Sequence, residues 1–345
     1  MELKEFMYEL PRSLVAATPA VDRAAARLMV VQRESGEIAH GDFSSLGDFL
    51  RAGDLLVLND TRVFPARLRG RKESGGRVEL LLVEPFPRWP GLWITLVDAA
   101  KGAQVGGRIL FDGGLSAEVI GELGRGRYGV RFHCRGDFME ALEKVGEPPI
   151  PPYVQRERAV AALDWERYQT VYARRPGAVA APTAGFHFTP ELLVALKSEG
   201  MEQAFLTLHV GPGTFQPMRG EKVEDHRMEG ERYTLGDNEA ERINRAKARG
   251  KRVIAVGSTT TRALEWIAQR KGGLEADEGI ARLFIHPGYA FRVIDGLITN
   301  FHLPGSTPLV LVAAFAGLDL IRRAYQEAIR AQYRFYSYGD AMLIL

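Results

Sequence analysis

Two segments of the sequence each place a polar side chain and a histidine two residues apart, the spacing of one face of a β-strand. AFLTLHV puts Thr207 and His209 on one face, and LITNFHL does the same with Asn300 and His302. Polar groups at the C-terminal ends of parallel strands build the sites of α/β folds, and an imidazole there can accept or donate a proton. Buried, hydrogen-bonded histidines would give the same spacing, so a catalytic and a structural role both stay open.

A third histidine stands where the sequence predicts the start of a helix. In APTAGFHF, Thr183 offers a hydroxyl, Gly185 clears space, and His187 lies between two phenylalanines, the first of which is Phe186. Thr189 then caps a helix whose first residue is proline. Small residues beside a helix N-terminus can bring backbone amides close to a ligand.

Two further segments combine small or acidic residues with groups that could act on a ligand. In GPGTF, Gly211 and Gly213 would let the backbone approach a bound molecule. In EDHRMEGE, Asp225 stands beside His226, which suits a general acid–base pair whose carboxylate fixes the tautomer. The spacing matches no common metal-ligand pattern. A solvated acidic loop is the alternative.

The segment VIAVGSTTTRALE has the pattern of a strand, a hydroxyl-bearing loop and a helix. The amides at the helix start, with Gly257, Thr259 and Arg262, suit a phosphate or a carboxylate. The segment lacks the spacing of the dinucleotide fingerprint and of the ATP-binding glycine loop. A tight strand-to-helix turn capped by threonines would explain the same residues.

Basic residues are concentrated in TRVFPARLRGRKESGGR, which holds six of them and one acid. The whole chain has a net charge of only +2, so a nucleic-acid surface must come from such local clustering. Arg62, Arg67 and Arg69 could contact a phosphate backbone. The soluble rim of a barrel is the alternative.

Composition limits the class of protein. A chain of 345 residues with 46% apolar content predicts two domains, or one large domain with an insertion. The single cysteine, Cys134, excludes an intramolecular disulfide and a multi-cysteine metal site. The first twenty residues carry acids and a proline where a signal peptide needs an apolar core, and no apolar run approaches the ~20 residues of a membrane span. We therefore expect a cytoplasmic protein without a membrane segment.

The order of predicted elements indicates an α/β domain with an insertion. From about residue 190 onward, helices alternate with short apolar strands, among which we count LFIHPG and FRVIDG. Residues 63–147 instead show closely spaced strands and glycine-bearing turns, typical of a small antiparallel barrel or sandwich. Strand-like segments precede this stretch, so we predict one domain of residues 1–62 and 148–345, with residues 63–147 inserted in it.

Together these motifs resemble one family. In order along the chain occur GDLLVLNDTRVFPARL, PPYV, RYQTVYARRPGAVAAPTAGFHFTPELL, LHVGPGTFQP, EDHRM, VIAVGSTTTRALE, FIHPGYAFRVIDGLITNFHLPGSTPLVLVAAFAG and YRFYSYGDAM. From about residue 6 to the end, the chain resembles the S-adenosylmethionine:tRNA ribosyltransferase-isomerases of queuosine biosynthesis. The resemblance implies a larger α/β barrel-like domain with an inserted small antiparallel β-barrel.

The resemblance also implies a reaction. S-adenosylmethionine is the ribosyl donor, and tRNA with 7-aminomethyl-7-deazaguanine at the wobble position is the acceptor. The transferred sugar rearranges to an epoxycyclopentane, giving epoxyqueuosine, while adenine and methionine leave. No metal is implied, and we expect a monomer.

Site residues follow from the resemblance as expectations. His187, His209, His226 and His302 would line one pocket and one of them would be the base, with Asp225 orienting His226. The residues expected to bind S-adenosylmethionine are Thr183, Gly185, Phe186, Gly211, Gly213, Thr214, Gly257, Thr259, Arg262 and Asn300. Those expected to contact tRNA are Asp60, Arg62, Arg67 and Arg69.

One departure from the family pattern and two rival functions bear on these expectations. The family usually has H-x-M-H-x-E where this chain has HRMEGE, so Glu229 replaces the second histidine, and we assign that position no essential role.

An S-adenosylmethionine-dependent tRNA methyltransferase would use the same cosubstrate but usually carries a glycine-rich first loop, which we do not find. A non-catalytic RNA-binding protein would explain the basic segment but not the histidines.

Overall fold

The computed structural model describes residues 1–20, 22–86, 89, 91–100, 102–150, 165–215, 218 and 220–345. Contacts divide the chain into two compact units. The first comprises Met1–Arg62, Pro152–Arg175 and Ala181–Leu345, and the second Val63–Pro151 and Pro176–Ala180.

This division departs from the predicted boundaries mainly at one short segment, Pro176–Ala180, which belongs to the second unit. Two contacts explain this. The amide of Phe64 donates a hydrogen bond to the carbonyl of Ala178 at 3.3 Å, and Val179 is part of the second unit's hydrophobic core. The chain thus returns to the second unit after residue 175.

The described residues form seventeen strands and six α-helices, numbered along the chain. The strands are β1 Arg27–Val31, β2 Ile38–Asp42, β3 Leu55–Asn59, β4 Thr61–Val63, β5 Arg67–Lys72, β6 Arg77–Pro85, β7 Leu92–Asp98, β8 Arg108–Leu110, β9 Ser116–Gly124, β10 Arg127–His133, β11 Arg175–Ala178, β12 Glu202–Leu208, β13 Glu231–Leu235, β14 Val253–Val256, β15 Asp277–Ala281, β16 Gly296–Asn300 and β17 Ala341–Ile344. The helices are α1 Phe138–Val145, α2 Pro190–Ser198, α3 Asp237–Ala248, α4 Ser258–Lys271, α5 Thr307–Ala316 and α6 Leu318–Arg330. Short 3-10 helices cover Leu3–Phe6, Arg12–Leu14, Phe43–Phe49, Asp112–Gly114, Thr183–His187, Pro212–Phe215 and Val223–Asp225.

The first unit is built on a nine-stranded mixed sheet with the order β15-β13-β12-β3-β14-β16-β17-β1-β2. Its centre, β12-β3-β14-β16, is parallel, with Ala204, Val57, Ala255 and Leu297 in one row of the ladder. Strands β3, β14 and β16 are buried along their whole length, as expected for a parallel sheet covered on both faces. The α/β prediction is confirmed.

Helix α2 begins at the expected residue, and α4 ends at a glycine. The hydroxyl of Thr189 accepts a hydrogen bond from the amide of Leu192 at 3.1 Å, and Pro190 is the first residue of α2. Helix α4 ends at Gly272, whose φ of 76° is the left-handed conformation that glycine adopts easily. None of the described helices is long and apolar enough to cross a membrane.

One sequence prediction for this unit was wrong. LFIHPG and FRVIDG were expected as strands, but the structure has its strand earlier, at β15, and none over residues 282–295. The backbone donors of the second segment are used elsewhere: the buried carboxylate of Glu265 accepts hydrogen bonds from the amides of Arg292, Val293 and Ile294 at 2.8, 3.0 and 3.2 Å. An amide bonded to a side chain cannot also pair in a sheet.

The second unit is a closed antiparallel barrel of six strands, β10-β7-β6-β5-β8-β9. Inward side chains alternate with outward ones, as in β6, where Val78, Leu80 and Leu82 are buried. Helix α1, capped by the carboxylate of Asp137, adds Leu142 to the barrel core. The predicted inserted barrel is confirmed as a fold.

Candidate active site

A cavity of about 160 Å³ lies in the first unit, where parallel strands β12, β14 and β16 end. Val210, Gly257 and Asn300, which stand at or just after these strand ends, all line it. We call it the central cavity. Its position is the one where α/β sheets bind ligands. A volume below the roughly 300–1,000 Å³ of a whole small-molecule site suits one moiety of a larger ligand.

Two helices begin at the central cavity. Ser258 and Thr259, the first residues of α4, line it, and so does Ser306, which precedes α5. The first amides of a helix have no partner inside it and carry a partial positive charge, which favours an anion. Gly257 makes the α4 turn possible, because its φ is 96°. The cavity wall is therefore suited to a carboxylate or a phosphate.

Asn300 connects the central cavity to His187. The hydroxyl of Thr183 donates to Asn300 Oδ1 at 3.1 Å, and Asn300 Nδ2 donates to His187 Nε2 at 3.1 Å. The amide is a donor at Nδ2, so His187 accepts at Nε2 and carries its proton at Nδ1. His187 is buried, and burial lowers its pKa to about 4, with Asp340 acting in the opposite direction. At neutral pH the ring is uncharged.

His302 lines the central cavity itself. Its Nε2 lies 2.7 Å from the hydroxyl of Thr299. Its backbone is fixed at both ends: the amide donates to the Tyr325 hydroxyl at 3.0 Å, and the carbonyl accepts from the Tyr8 hydroxyl. Burial lowers the pKa of His302 to about 3, so this ring too is neutral and can accept a proton.

The other two histidines do not line the central cavity. His209 Nδ1 bonds the Thr61 hydroxyl at 2.9 Å, and burial, followed by Arg232, lowers its pKa to about 4. The His226 ring packs on Phe284 with centroids 5.0 Å apart, and burial lowers its pKa. Of the four imidazoles expected to line one cavity, only that of His302 lines the central cavity in the described structure. His209 and His226 are half-buried outside it.

Arg262 is buried in an ion pair. Its Nη1 donates to Glu231 Oε2, its Nε donates to the carbonyl of Leu283 at 3.0 Å, and only 5% of the residue is exposed. Glu231 Oε1 also accepts from the amide of Gly211 at 3.0 Å. The guanidinium charge is thus balanced within the protein. Through these bonds Arg262 and Glu231 fix Gly211 in the loop after β12.

Arg262 nonetheless reaches a second, smaller cavity, which it lines together with Met228 and Phe284. This cavity shares Ser258 and Pro308 with the central cavity. A third cavity, lined by Phe186 and His187, shares Ser337 with it. The central cavity therefore shares wall residues with two smaller ones.

Two glycines and one phenylalanine predicted as ligand contacts pack closely against protein atoms. A Cβ on Gly185 would lie 2.1 Å from the Tyr172 hydroxyl, and one on Gly213 would lie 2.5 Å from Glu229 Oε2. The Phe186 ring stacks on Tyr338 with centroids 5.7 Å apart. Protein atoms therefore occupy the space that a ligand was expected to fill. The side chain of Thr214 lies outside the described residues.

The comparisons with known proteins cover the whole chain. A family model described as "Queuosine biosynthesis protein" matches residues 3–344. The chain belongs to this family. Proteins named S-adenosylmethionine:tRNA ribosyltransferase-isomerase from Pelobacter propionicus, Trichlorobacter lovleyi and Caldanaerobacter subterraneus are 52%, 50% and 48% identical to it, each over the full length of both chains. The crystal structure of S-adenosylmethionine tRNA ribosyltransferase from Thermotoga maritima is 36% identical, covers 99% of this chain and all of its own, and has a TM-score of 0.56.

In this queuosine biosynthesis protein, the residues expected to contact tRNA differ in exposure. Asp60 is buried and accepts a hydrogen bond from the Thr207 hydroxyl at 2.5 Å, so the expectation for it was wrong: a buried, bonded acid does not contact a polyanion. Arg62 is exposed. Arg67 and Arg69 both pair with Glu79 at 3.1 Å, and Arg69 also pairs with a second acid, Glu147.

The acidic segment of this family member contains Asp225 and His226. Asp225 is exposed, and the hydrogen bonds of the described residues include none between its carboxylate and the His226 ring. Across those residues, no three His, Cys, Asp or Glu side chains are grouped as metal ligands would be. The expected pairing of Asp225 with His226 is therefore absent from the described contacts.

Sequence reasoning missed several residues that line the central cavity. Tyr336, Ser337, Ser306 and Pro308 line it, although none of them is among the site residues expected from the sequence. One signal was available for the last two. The segment NFHLPGSTP repeats the pattern of a strand, a small hydroxyl-bearing loop and a helix that VIAVGSTTT shows.

The neutral state of His187 predicts a pH dependence of stability. Its pKa is about 4 when folded and about 6.5 when unfolded, so the unfolded chain binds the proton first as pH falls. The contribution of His187 to the free energy of unfolding should therefore be fully present above pH 6.5. It should decrease between pH 6.5 and pH 4, by at most ~1.4 kcal/mol per pH unit for this residue. Urea unfolding at a series of pH values measures it, with His187→Gln showing a smaller slope. A His187 ring that titrates near 6.5 in the NMR spectrum of the folded protein would contradict this.

Proposed function

We propose that this chain is an S-adenosylmethionine:tRNA ribosyltransferase-isomerase. It moves the ribosyl group of S-adenosylmethionine onto 7-aminomethyl-7-deazaguanine at the tRNA wobble position and isomerises it to epoxyqueuosine, with release of adenine and methionine. The observation that carries the proposal is the central cavity, with two helix N-termini and a neutral histidine at its wall. The full-length relatives that bear this name support it.

The cavity wall offers groups for two parts of S-adenosylmethionine, the methionine carboxylate and the ribose. The amides of Ser258 and Thr259, at the start of α4, suit the carboxylate of the methionine part. Thr183 and Asn300, already hydrogen-bonded to each other, suit the ribose hydroxyls. Binding along this wall would hold the sugar beside His302, and orientation of this kind can supply ~7–11 kcal/mol towards a reaction barrier.

The chemistry requires a base. The positive sulfur of S-adenosylmethionine makes the adjacent C5′ protons acidic, so a neutral imidazole close to C5′ can remove one. We propose His302 as this base, because of the four histidines it alone lines the central cavity in the described structure. Thr299 orients the ring, and Tyr8 and Tyr325 hold its backbone. His187 orients Asn300 from behind the cavity wall.

We also propose the setting in which this activity occurs. The enzyme is a cytoplasmic monomer, with residues 1–62 and 148–345 as the catalytic domain and residues 63–147 as an inserted domain. Arg62, Arg67 and Arg69 contact the tRNA backbone, the last two in exchange for part of their pairing with Glu79.

One assay tests the function. The protein is incubated with S-adenosylmethionine and with tRNA that carries 7-aminomethyl-7-deazaguanine, and the small products are separated by chromatography. Release of adenine and methionine in equal amounts is expected. Production of S-adenosylhomocysteine would instead show a methyltransferase, and tRNA binding without any product would show an RNA-binding protein. Unmodified tRNA, which lacks the acceptor amine, is the control.

His302→Gln tests the base. Glutamine can still reach Thr299 but cannot accept a proton at neutral pH, so turnover should fall ~10²–10⁴-fold while the affinity for S-adenosylmethionine changes little. Kinetics in single turnover and calorimetric titration measure the two quantities. His133→Gln, a change at an exposed histidine of β10, is the matched control. Turnover of His302→Gln within a factor of three of the wild type would remove His302 from this role.

The tRNA contacts predict a response to salt. The dissociation constant for tRNA should rise steeply with salt concentration, and Arg62→Gln or Arg69→Gln should each weaken binding and lower the slope by about one released counterion. Filter binding from 50 to 300 mM KCl measures it (roughly the range in which such contacts are screened). Arg322→Gln, at an exposed position of α6, is the control. Equal slopes in all four proteins would show that tRNA binds elsewhere.

A further inference from the structure

Tyr336 combines backbone strain with burial. Three described residues other than glycine have a positive φ: Arg125 at 54°, Gln332 at 57° and Tyr336 at 77°. Arg125 and Gln332 are exposed, whereas Tyr336 is 9% exposed and lines the central cavity. The left-handed region is unfavourable for residues with a Cβ, and a bulky residue there is an outlier. A glycine would fit this backbone better, so the presence of tyrosine calls for a role of its side chain.

The surrounding structure holds Tyr336 in this conformation. Its amide donates to the carbonyl of Phe301 at 2.9 Å, and its carbonyl accepts from the amide of Gly339 at 2.9 Å. A Cβ on Gly339 would lie 2.4 Å from the carbonyl oxygen of Arg334, so the turn is tight. The buried carboxylate of Asp340 closes it by accepting from the Arg334 amide at 2.7 Å. A strained residue persists only where its neighbours fix it in this way.

We propose that the ring of Tyr336 is the surface on which the adenine of S-adenosylmethionine stacks. This proposal rests on the proposed function and adds a residue that binds the nucleobase. The central cavity is large enough for one moiety, and the amides at the starts of α4 and α5 suit the carboxylate of the same molecule. Tyr336 is an aromatic residue in the wall of that cavity, and Leu303 and Pro304 add apolar parts to the same wall. A purine is the flat, apolar-faced part of the donor that fits such walls.

The stacking partner is the donor's base and not a base of tRNA. Tyr336 and Asn300 line the same cavity as His302, so a ligand on the ring of Tyr336 lies beside the groups proposed to hold and deprotonate the donor sugar. Adenine is joined directly to that sugar. The strained backbone then has a purpose: it holds the Tyr336 ring at a turn that is fixed before the donor arrives, so less conformational entropy is lost on binding.

Three substitutions at Tyr336 separate the ring from the backbone. Tyr336→Leu removes the flat face but keeps a Cβ, and Tyr336→Gly removes the ring and relieves the positive φ. Both should raise the dissociation constant for S-adenosylmethionine and the inhibition constant of adenine by roughly 5- to 150-fold, the range of base–aromatic stacking. The inhibition constant of methionine should stay unchanged. Tyr336→Phe keeps the ring and should recover most of the affinity lost in Tyr336→Leu.

Gln332→Gly is the matched control, because it relieves the same backbone conformation at an exposed position and should change neither constant. Circular dichroism verifies that each variant is folded. If Tyr336→Leu or Tyr336→Gly is not folded, the folded variant of the two is compared with Tyr336→Phe. Unchanged inhibition by adenine in folded Tyr336→Leu or Tyr336→Gly would overturn the proposal. So would a Tyr336→Phe variant whose affinity for S-adenosylmethionine is as low as that of Tyr336→Leu. A rise confined to the KM for tRNA would overturn it in favour of a tRNA base. Adenine release by the wild-type protein shows separately whether the proposed function holds.

Discussion

The parallel ladder at the centre of the large sheet determines where the strand-end residues of the central cavity lie. Strands β12, β3, β14 and β16 are joined in fixed register, so segments up to about 240 residues apart in sequence end at one edge. Asn59 extends this order beyond the last strand residue, because its side chain bonds both the amide and the carbonyl of Leu208, at 3.0 and 2.9 Å. A slip of one residue in any of these strands would turn its polar end group to the other face.

Many of the polar residues at this edge bind each other and not a ligand. The Arg262–Glu231 pair is the clearest case: removing one partner of such a buried pair costs ~3–5 kcal/mol, more than the ~0.3–1 kcal/mol usual for a charge at a helix terminus. Stability therefore decides the position of Arg262, and the helix amides are left to meet an anion. Asp60 and Thr207 likewise form a hydrogen bond with each other. Residue type alone suggested ligand contacts at these positions, but burial makes them supports for the site.

The sequence predicted those parts of the fold whose signals are local. Alternation in β6, the Thr189 cap of α2 and the buried apolar run of β14 are visible in the letters, and the structure has each of them. Strand β5, Arg67–Lys72, was missed because Leu68 is its one buried side chain and its outward residues are basic. Likewise, nothing near FRVIDG shows that a carboxylate on α4, Glu265, takes its amides. Such pairings depend on tertiary contacts.

The candidate site was predictable only in part, for the same reason. Strand-end spacing pointed to His302 and Asn300, but it could not show that Asn300 would separate His187 from the cavity or that the C-terminal turn would supply Tyr336. Cavity lining depends on which backbone turns towards the sheet edge. The feature that distinguishes Tyr336 is its positive φ angle, which cannot be read from the sequence.

The central cavity carries its polarity in dipoles and neutral rings, and this suits a zwitterionic donor. S-adenosylmethionine brings a positive sulfur and a negative carboxylate. An imidazolium 4 Å from that sulfur would repel it by ~4 kcal/mol at an effective dielectric constant of 20. Burial avoids the repulsion, because it lowers the pKa of His302 to about 3 and that of His187 to about 4. The carboxylate meets helix amides whose partial charges need no counterion. The desolvation that keeps these histidines neutral thus also prepares the cavity for a cationic substrate.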